Sequence, residues 1–166
     1  MTTLRPSAHV DDFARRSLPP EDQWPEFLLD AVADYPDRLN VCVALLDETI
    51  EAHGADRTAI IADDATWTYG ELYNVVTRIA SVLVGAGVLS GNRVLLRSPN
   101  NAWLVASWLA VLRIGAIPVT TVPLLRKAEL DPIVEIGAVQ FAIVDHRGLD
   151  DWQAVAFDGR TLVLGG

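Results

Sequence analysis

Apolar positions along this chain repeat at two alternating spacings. After Asn40, a natural N-cap residue, Val41, Leu45, Leu46 and Ile50 recur at helical spacing up to His53, and Gly54 ends that helix. Thr58 to Ala62 reads as a strand, Asp63-Asp64 as a turn, and Ala65 to Thr68 as a short partner strand, a small hairpin off the edge of the main sheet. Thr68-Tyr69-Gly70-Glu71 is a capping box: the threonine oxygen takes the Glu71 amide and the carboxylate reaches back to Thr68. The helix it opens carries Leu72, Val75, Val76, Ile79 and Leu83 on one side and stops near Gly87.

From there strands and helices alternate strictly. Arg93 to Arg97 is a strand, Asn101 to Ile114 a helix stopped by Gly115, and Ile117 to Val122 a strand. Lys127 to Ile136 is a helix stopped by Gly137, Phe141 to Val144 a strand, and Thr161 to Leu164 another. Strands joined by helices of this length imply right-handed crossovers and parallel pairing. Val94-Leu95-Leu96 and Phe141-Ala142-Ile143-Val144 are apolar on both sides, as strands covered on both faces must be. The pattern predicts a three-layer α/β/α unit with a mostly parallel sheet.

The opening differs. Five of the nine prolines (Pro6, Pro19, Pro20, Pro25 and Pro36) precede Asp37, and proline removes a backbone donor and fixes φ, so no long element forms there. Residues 1–39 read as an arm with short helical turns around Asp12–Arg16 and Glu26–Asp30, pinned by Phe13, Trp24, Phe27 and Tyr35. Residues 40–166 read as the folded unit.

Composition narrows the classes. Hydrophobic residues are 51% of the 166, which argues against disorder. The net charge of -9, with no Lys/Arg stripe, repels nucleic-acid backbones and anionic lipid, so neither is expected as a partner. One cysteine, Cys42, allows no internal disulfide and fits a cytoplasmic address; it reads as a small apolar helix residue. The longest apolar stretch, Ala102 to Leu112, is too short to span a bilayer and reads as a buried helix.

The usual signatures of chemistry are missing. No Walker-type loop exists, and Gly85-Ala86-Gly87-Val88-Leu89-Ser90-Gly91 follows a helix instead of preceding one, the wrong order for holding a dinucleotide phosphate. His9, His53 and His146 follow no metal-ligand spacing and read as surface residues; no metal site is expected. Ser81, Ser98 and Ser107 lack a nucleophile-elbow context. Asn101 reads as an N-cap, and Asn100 and Asn101 as candidates to line a pocket only second to that. Trp103 and Trp108 read as core or interface.

Three segments, taken together, resemble a known family. They are Trp67-Thr68-Tyr69-Gly70-Glu71-Leu72; Gly91-Asn92-Arg93-Val94-Leu95-Leu96-Arg97-Ser98-Pro99-Asn100-Asn101; and Leu109-Ala110-Val111-Leu112-Arg113-Ile114-Gly115-Ala116, leading to Pro123-Leu124-Leu125-Arg126-Lys127-Ala128-Glu129-Leu130. Their order and spacing resemble the N-terminal half of the AMP-binding superfamily of acyl-CoA synthetases, luciferases and peptide-synthetase adenylation domains. Leu18-Pro19-Pro20-Glu21-Asp22-Gln23-Trp24-Pro25 and Tyr35-Pro36-Asp37-Arg38-Leu39-Asn40 are similar to the opening of 2-aminobenzoate– and benzoate–CoA ligases.

The resemblance implies a two-step reaction. A carboxylate attacks ATP, with Mg²⁺, to give an acyl-adenylate and pyrophosphate; the CoA thiol then displaces AMP. An aromatic carboxylic acid is the implied substrate. The family's Ser/Thr/Gly-rich phosphate loop, its later nucleotide motifs and its catalytic lysine do not occur in these 166 residues, and Lys127 does not match that lysine. No catalytic residue is therefore expected here, ATP and CoA are not expected to bind tightly to this chain alone, and the chain alone is expected to be inactive. In relatives a basic residue at the Pro-x-Leu stretch can lie near the CoA nucleotide phosphate. Leu124 stands at that place, so Arg126 and Lys127 are the nearest candidates, against the alternative of a solvated helix start. A nucleotide-binding module and a non-catalytic interaction domain that self-associates through exposed apolar surface are the competing readings.

Overall fold

The computed structural model of the chain describes residues 6–26, 36, 38–63 and 65–165. Phe27, Tyr35 and most of the turn expected at Glu26–Asp30 lie outside them, as does Asp64. Within them, α1 (Phe13–Arg16) opens the chain. A π-helical turn (Val43–Asp47) runs into α2 (Glu48–His53), followed by the hairpin β1 (Thr58–Ile61) and β2 (Thr66–Thr68), then α3 (Tyr69–Gly85) and β3 (Arg93–Arg97). The chain continues through α4 (Ala102–Arg113), β4 (Ile117–Thr121), α5 (Lys127–Ile136), β5 (Phe141–Asp145), α6 (Leu149–Gln153) and β6 (Arg160–Leu164). β1 and β2 pair antiparallel by themselves, and the main sheet is all parallel in the order β4-β3-β5-β6.

The strand register shows why three layers form. Side chains alternate across a strand. Val94, Leu96 and Ile143 therefore face one side, where they pack with Leu72, Val76 and Leu83 of α3 and Ala106 and Ala110 of α4. Leu95, Ala142 and Val144 face the other, against Leu130 and Val134 of α5 and Trp152 of α6. Leu95 is fully buried, and truncating such a side chain to alanine costs about 2–5 kcal/mol. Pro118 lies in β4, an edge strand, where its missing amide donor is tolerated.

The capping box forms as expected. The Glu71 amide donates to Thr68 Oγ1 (3.2 Å) and the Thr68 amide to Glu71 Oε2 (2.8 Å). Asn101 caps α4, taking the Leu104 amide (2.9 Å). Asn40 serves two helices: its Oδ1 takes the Cys42 and Val43 amides, and its Nδ2 donates to the carbonyls of Leu112 and Arg113 at the end of α4.

That anchoring corrects one expectation. Val41 and Leu45 are exposed (38% and 53%), whereas Cys42 and Leu46 (0% and 1%) form the inward stripe. Two i,i+4 rows were available, and the clamp of Asn40 on the end of α4 turns the second one inward. Arg113 sits above this face, paired with Asp47 (2.6 Å) and stacked on Tyr73. Burial pushes the Cys42 thiol up, which fits a packing residue and not a nucleophile. α5 runs Lys127–Ile136 and ends at Gly137 as expected; Gly137 keeps a helical φ, and Ala138 takes the left-handed turn (φ 44°). Trp103, expected as core or interface, is 44% exposed and meets Trp67 edge-on (5.3 Å), tying the hairpin to α4.

Candidate functional site

In an open parallel sheet, ligands bind beyond the carboxyl ends of the strands, where neighbouring strands send their connections to opposite faces. β3 and β5 are such a pair. The loop after β3 leads to α4 on one face, and the loop after β5 leads to α6 on the other. The carboxyl edge is built from Ser98–Asn101, the loop 122–126 after β4, and the short turn His146–Gly148 after β5.

Arg97, the last residue of β3, is the buried centre of this edge. It is 1% exposed. Its Nη1 donates to the Val122 carbonyl (3.3 Å) and its Nη2 to the Pro123 carbonyl (3.0 Å), with Asp151 Oδ2 at 3.4 Å. Its Nε finds no acceptor, and Gly148 lies beside it, where an added Cβ would stand 3.2 Å away. A guanidinium stays charged even when buried, so these partners offset a substantial desolvation cost.

Arg126 and Lys127 stand on the same edge, at the head of α5. Arg126 Nη1 donates back to the carbonyls of Pro123, Leu124 and Leu125, and lies 3.3 Å from Asp151. Its amide donates to Glu129 Oε2 (2.9 Å), half of a capping arrangement. Lys127 pairs with Asp131 one turn on (2.6 Å), a solvent-screened pair that contributes little to stability. The structure thus brings Arg126 to the carboxyl edge together with Arg97 and Asp151, and engages Lys127 along its own helix.

Beside them, Asp145 ends β5. Arg147 grips it with two side-chain bonds (2.8 and 2.9 Å) and an amide bond, and this holds the carboxyl down at about 2 against the opposing effect of burial. His146 Nδ1 lies 3.6 Å from the same carboxylate. All three histidines are exposed. Ser81, Ser98 and Ser107 donate to the nearby carbonyls of Thr77, Pro99 and Trp103. Asn100 is exposed, and Asn101 is committed to its cap. A groove of about 840 Å³ between α5 and the segment after α6 is rimmed by Asp131, Glu135 and Asp158, charges that repel phosphate.

Arg97 and Asp151 are the site residues that pattern reading passes over. The available signal was an arginine at each end of a strand otherwise apolar on both faces; such a charge must find partners where the strand ends.

The chain matches known proteins over most of its length. Residues 46–163 match the AMP-binding enzyme family. Triostin synthetase I of Streptomyces triostinicus is 37% identical over 113 residues, 68% of this chain and 21% of that protein. The salicyl-AMP ligase / salicyl-S-ArCP synthetase of Mycobacterium tuberculosis is 35% identical over 117 residues, 70% of this chain and 18% of that protein. The crystal structure of the anthranilate CoA ligase AuaEII with anthranoyl-AMP superposes at a TM-score of 0.72 with 26% identity, over 80% of this chain and 26% of that one. The chain therefore spans about a fifth to a quarter of the proteins it resembles. With the parallel sheet, the capped helices and the matched span in agreement, the chain belongs to the AMP-binding enzyme family, a family of adenylate-forming ligases.

Proposed function

We propose that this chain supplies the opening α/β unit of a cytoplasmic acid–CoA ligase that activates an aromatic carboxylate of the 2-aminobenzoate or benzoate type. The carboxylate oxygen attacks the α-phosphorus of ATP and pyrophosphate leaves; the CoA sulfur then attacks the acyl carbon, forming the thioester and releasing AMP. Mg²⁺ enters with ATP, and among the described residues no set of three His, Cys, Asp or Glu side chains converges to hold it. The observation that carries the proposal is the match, across four-fifths of the chain, to a ligase solved with an aromatic acyl-adenylate.

The chain's own part is to carry the carboxyl edge of the sheet. Arg126 and Lys127 are the residues assigned to the CoA nucleotide phosphate; the exposure of Arg126 (58%) and its position at the head of α5 support that assignment. No residue of the chain breaks or makes a bond in either step, so the 166-residue chain by itself forms no thioester. Exposed apolar side chains such as Val122 and Leu124 on the same edge favour its self-association, which light scattering will register. An acceptor thiol other than that of CoA is the second reading, favoured by the salicyl-S-ArCP synthetase relative.

The test is ATP–pyrophosphate exchange and thioester formation by the complete ligase. Exchange stimulated by 2-aminobenzoate or benzoate well above acetate, followed by a CoA thioester, supports the proposal. Exchange without any CoA thioester favours the second reading. Thioester made by the 166-residue chain unaided overturns the division of labour.

A further inference from the structure

Two arginines share one carboxylate at the carboxyl edge. Asp151 Oδ2 lies 3.4 Å from Arg97 Nη2 and 3.3 Å from Arg126 Nη1. The two guanidiniums differ in setting. That of Arg97 is rooted in the central strand and buried, whereas that of Arg126 is 58% exposed. Among the described residues Asp151 is the one carboxylate within ion-pair distance of the Arg126 side chain; Glu129 is occupied by the Arg126 amide and Asp131 by Lys127.

The division of donors on Arg126 is the informative feature. Nη1 carries every contact: three carbonyls of its own loop, at 2.9, 3.2 and 3.3 Å, and Asp151. Nε and Nη2 have no protein partner among the described residues. A guanidinium fastened at one terminal nitrogen keeps its Nε–Nη2 edge as a two-donor fork, the geometry that matches two phosphate oxygens. Holding that fork in place beforehand lowers the ordering cost of binding. Arg97 fixes the frame, because its two other bonds go to the Val122 and Pro123 carbonyls of the loop that Arg126 folds against.

We infer that Asp151, held by Arg97, is a positioning residue that sets Arg126 with its free fork outward for the 3′-phosphate of the CoA nucleotide. The inference rests on the reading of Arg126 as phosphate-facing, and it adds the residues that prepare it.

The experiment uses the complete ligase and compares CoA with dephospho-CoA, which lacks the 3′-phosphate. Pyrophosphate exchange, which needs no CoA, reports that the fold and first step are intact. Arg126→Ala is expected to abolish the KM preference for CoA over dephospho-CoA. Asp151→Asn is expected to reduce it about two- to fivefold, the range of an exposed ion pair. The double variant is expected to be no worse than Arg126→Ala, and Asp151→Glu to retain the preference. If Arg126→Ala removes the preference while Asp151→Asn keeps it, or if the two losses add, the positioning role is overturned and the phosphate reading stands. If Arg126→Ala keeps the preference, the phosphate reading itself falls, and the positioning role falls with it.

Discussion

The central strand carries an arginine at each end, and the two ends are finished differently. At the amino end, Arg93 donates to Asp11 (2.7 Å) and to the carbonyls of Gly91, Gly137 and Ala138 (2.8 to 3.0 Å), with the Phe13 ring stacked beneath it at 4.4 Å. Asp11 also receives Asn92 and Gln140, and its amide donates to the Ser90 carbonyl. At the carboxyl end, Arg97 makes bonds of 3.0 to 3.4 Å and leaves Nε without an acceptor. A short, fully paired network locks the opening segment onto the sheet. A longer, underfilled one borders the loops that the proposal assigns to ligand. In that reading the amino edge serves stability and the carboxyl edge binding.

The largest expected effect comes from breaking the lock. Arg93→Met leaves Asp11 without its cation and should cost about 3–5 kcal/mol in urea unfolding of the 166-residue chain; a loss under 1 kcal/mol would remove the distinction between the two ends. Gly91→Ala comes next. Its φ of 89° disfavours a side chain, and a Cβ there would strike the Asp11 carbonyl. We expect a loss of roughly 2–3 kcal/mol and proteolytic release of the segment around α1, whereas an intact segment would show that the close approach is not needed.

Asp11→Asn should cost about 1–2 kcal/mol at pH 7. Partial burial works to raise the Asp11 pKa. The bond from the Phe13 amide, then those from Arg93, Gln140 and Asn92, hold it well below the usual carboxylate range. A depressed folded pKa contributes stability that is fully present above the unfolded value of about 3.9 and lost as pH falls below it toward the folded value. Wild type should therefore lose stability more steeply than Asp11→Asn between about pH 5 and pH 2; parallel curves would contradict the network. The smallest effect belongs to the other end. Asp151→Asn should cost about 1 kcal/mol or less, because Arg97 keeps its shorter bonds to the Val122 and Pro123 carbonyls and the new amide oxygen can still accept from it. A loss above about 2 kcal/mol would make Asp151 a structural residue.

Most of the fold was legible because its signals are local. The capping box at Thr68, the glycine stop at Gly87 and the doubly apolar strands each follow from a few neighbouring residues, and they formed where expected. The helix after Asn40 was harder, because two apolar rows fitted it and a contact 72 residues away chose between them. The candidate site was legible only in part. Pattern and resemblance pointed to Arg126 and Lys127, whereas Asp151 joins Arg97 across 54 residues and Asp11 joins Gln140 across 129. Such pairings depend on strand order, which no local spacing encodes.

Whether ligand meets the carboxyl edge while the amino edge stays closed can be read from amide NMR spectra of the 166-residue chain titrated with 3′,5′-ADP, the phosphate-bearing nucleotide of CoA. Weak, saturable shifts are expected at residues 122–130 and at the Arg126 Nε–H, with Asp11, Asn92 and Gln140 unmoved. Shifts centred on the amino edge, or none at 122–130 at millimolar nucleotide, would contradict that reading of the two edges.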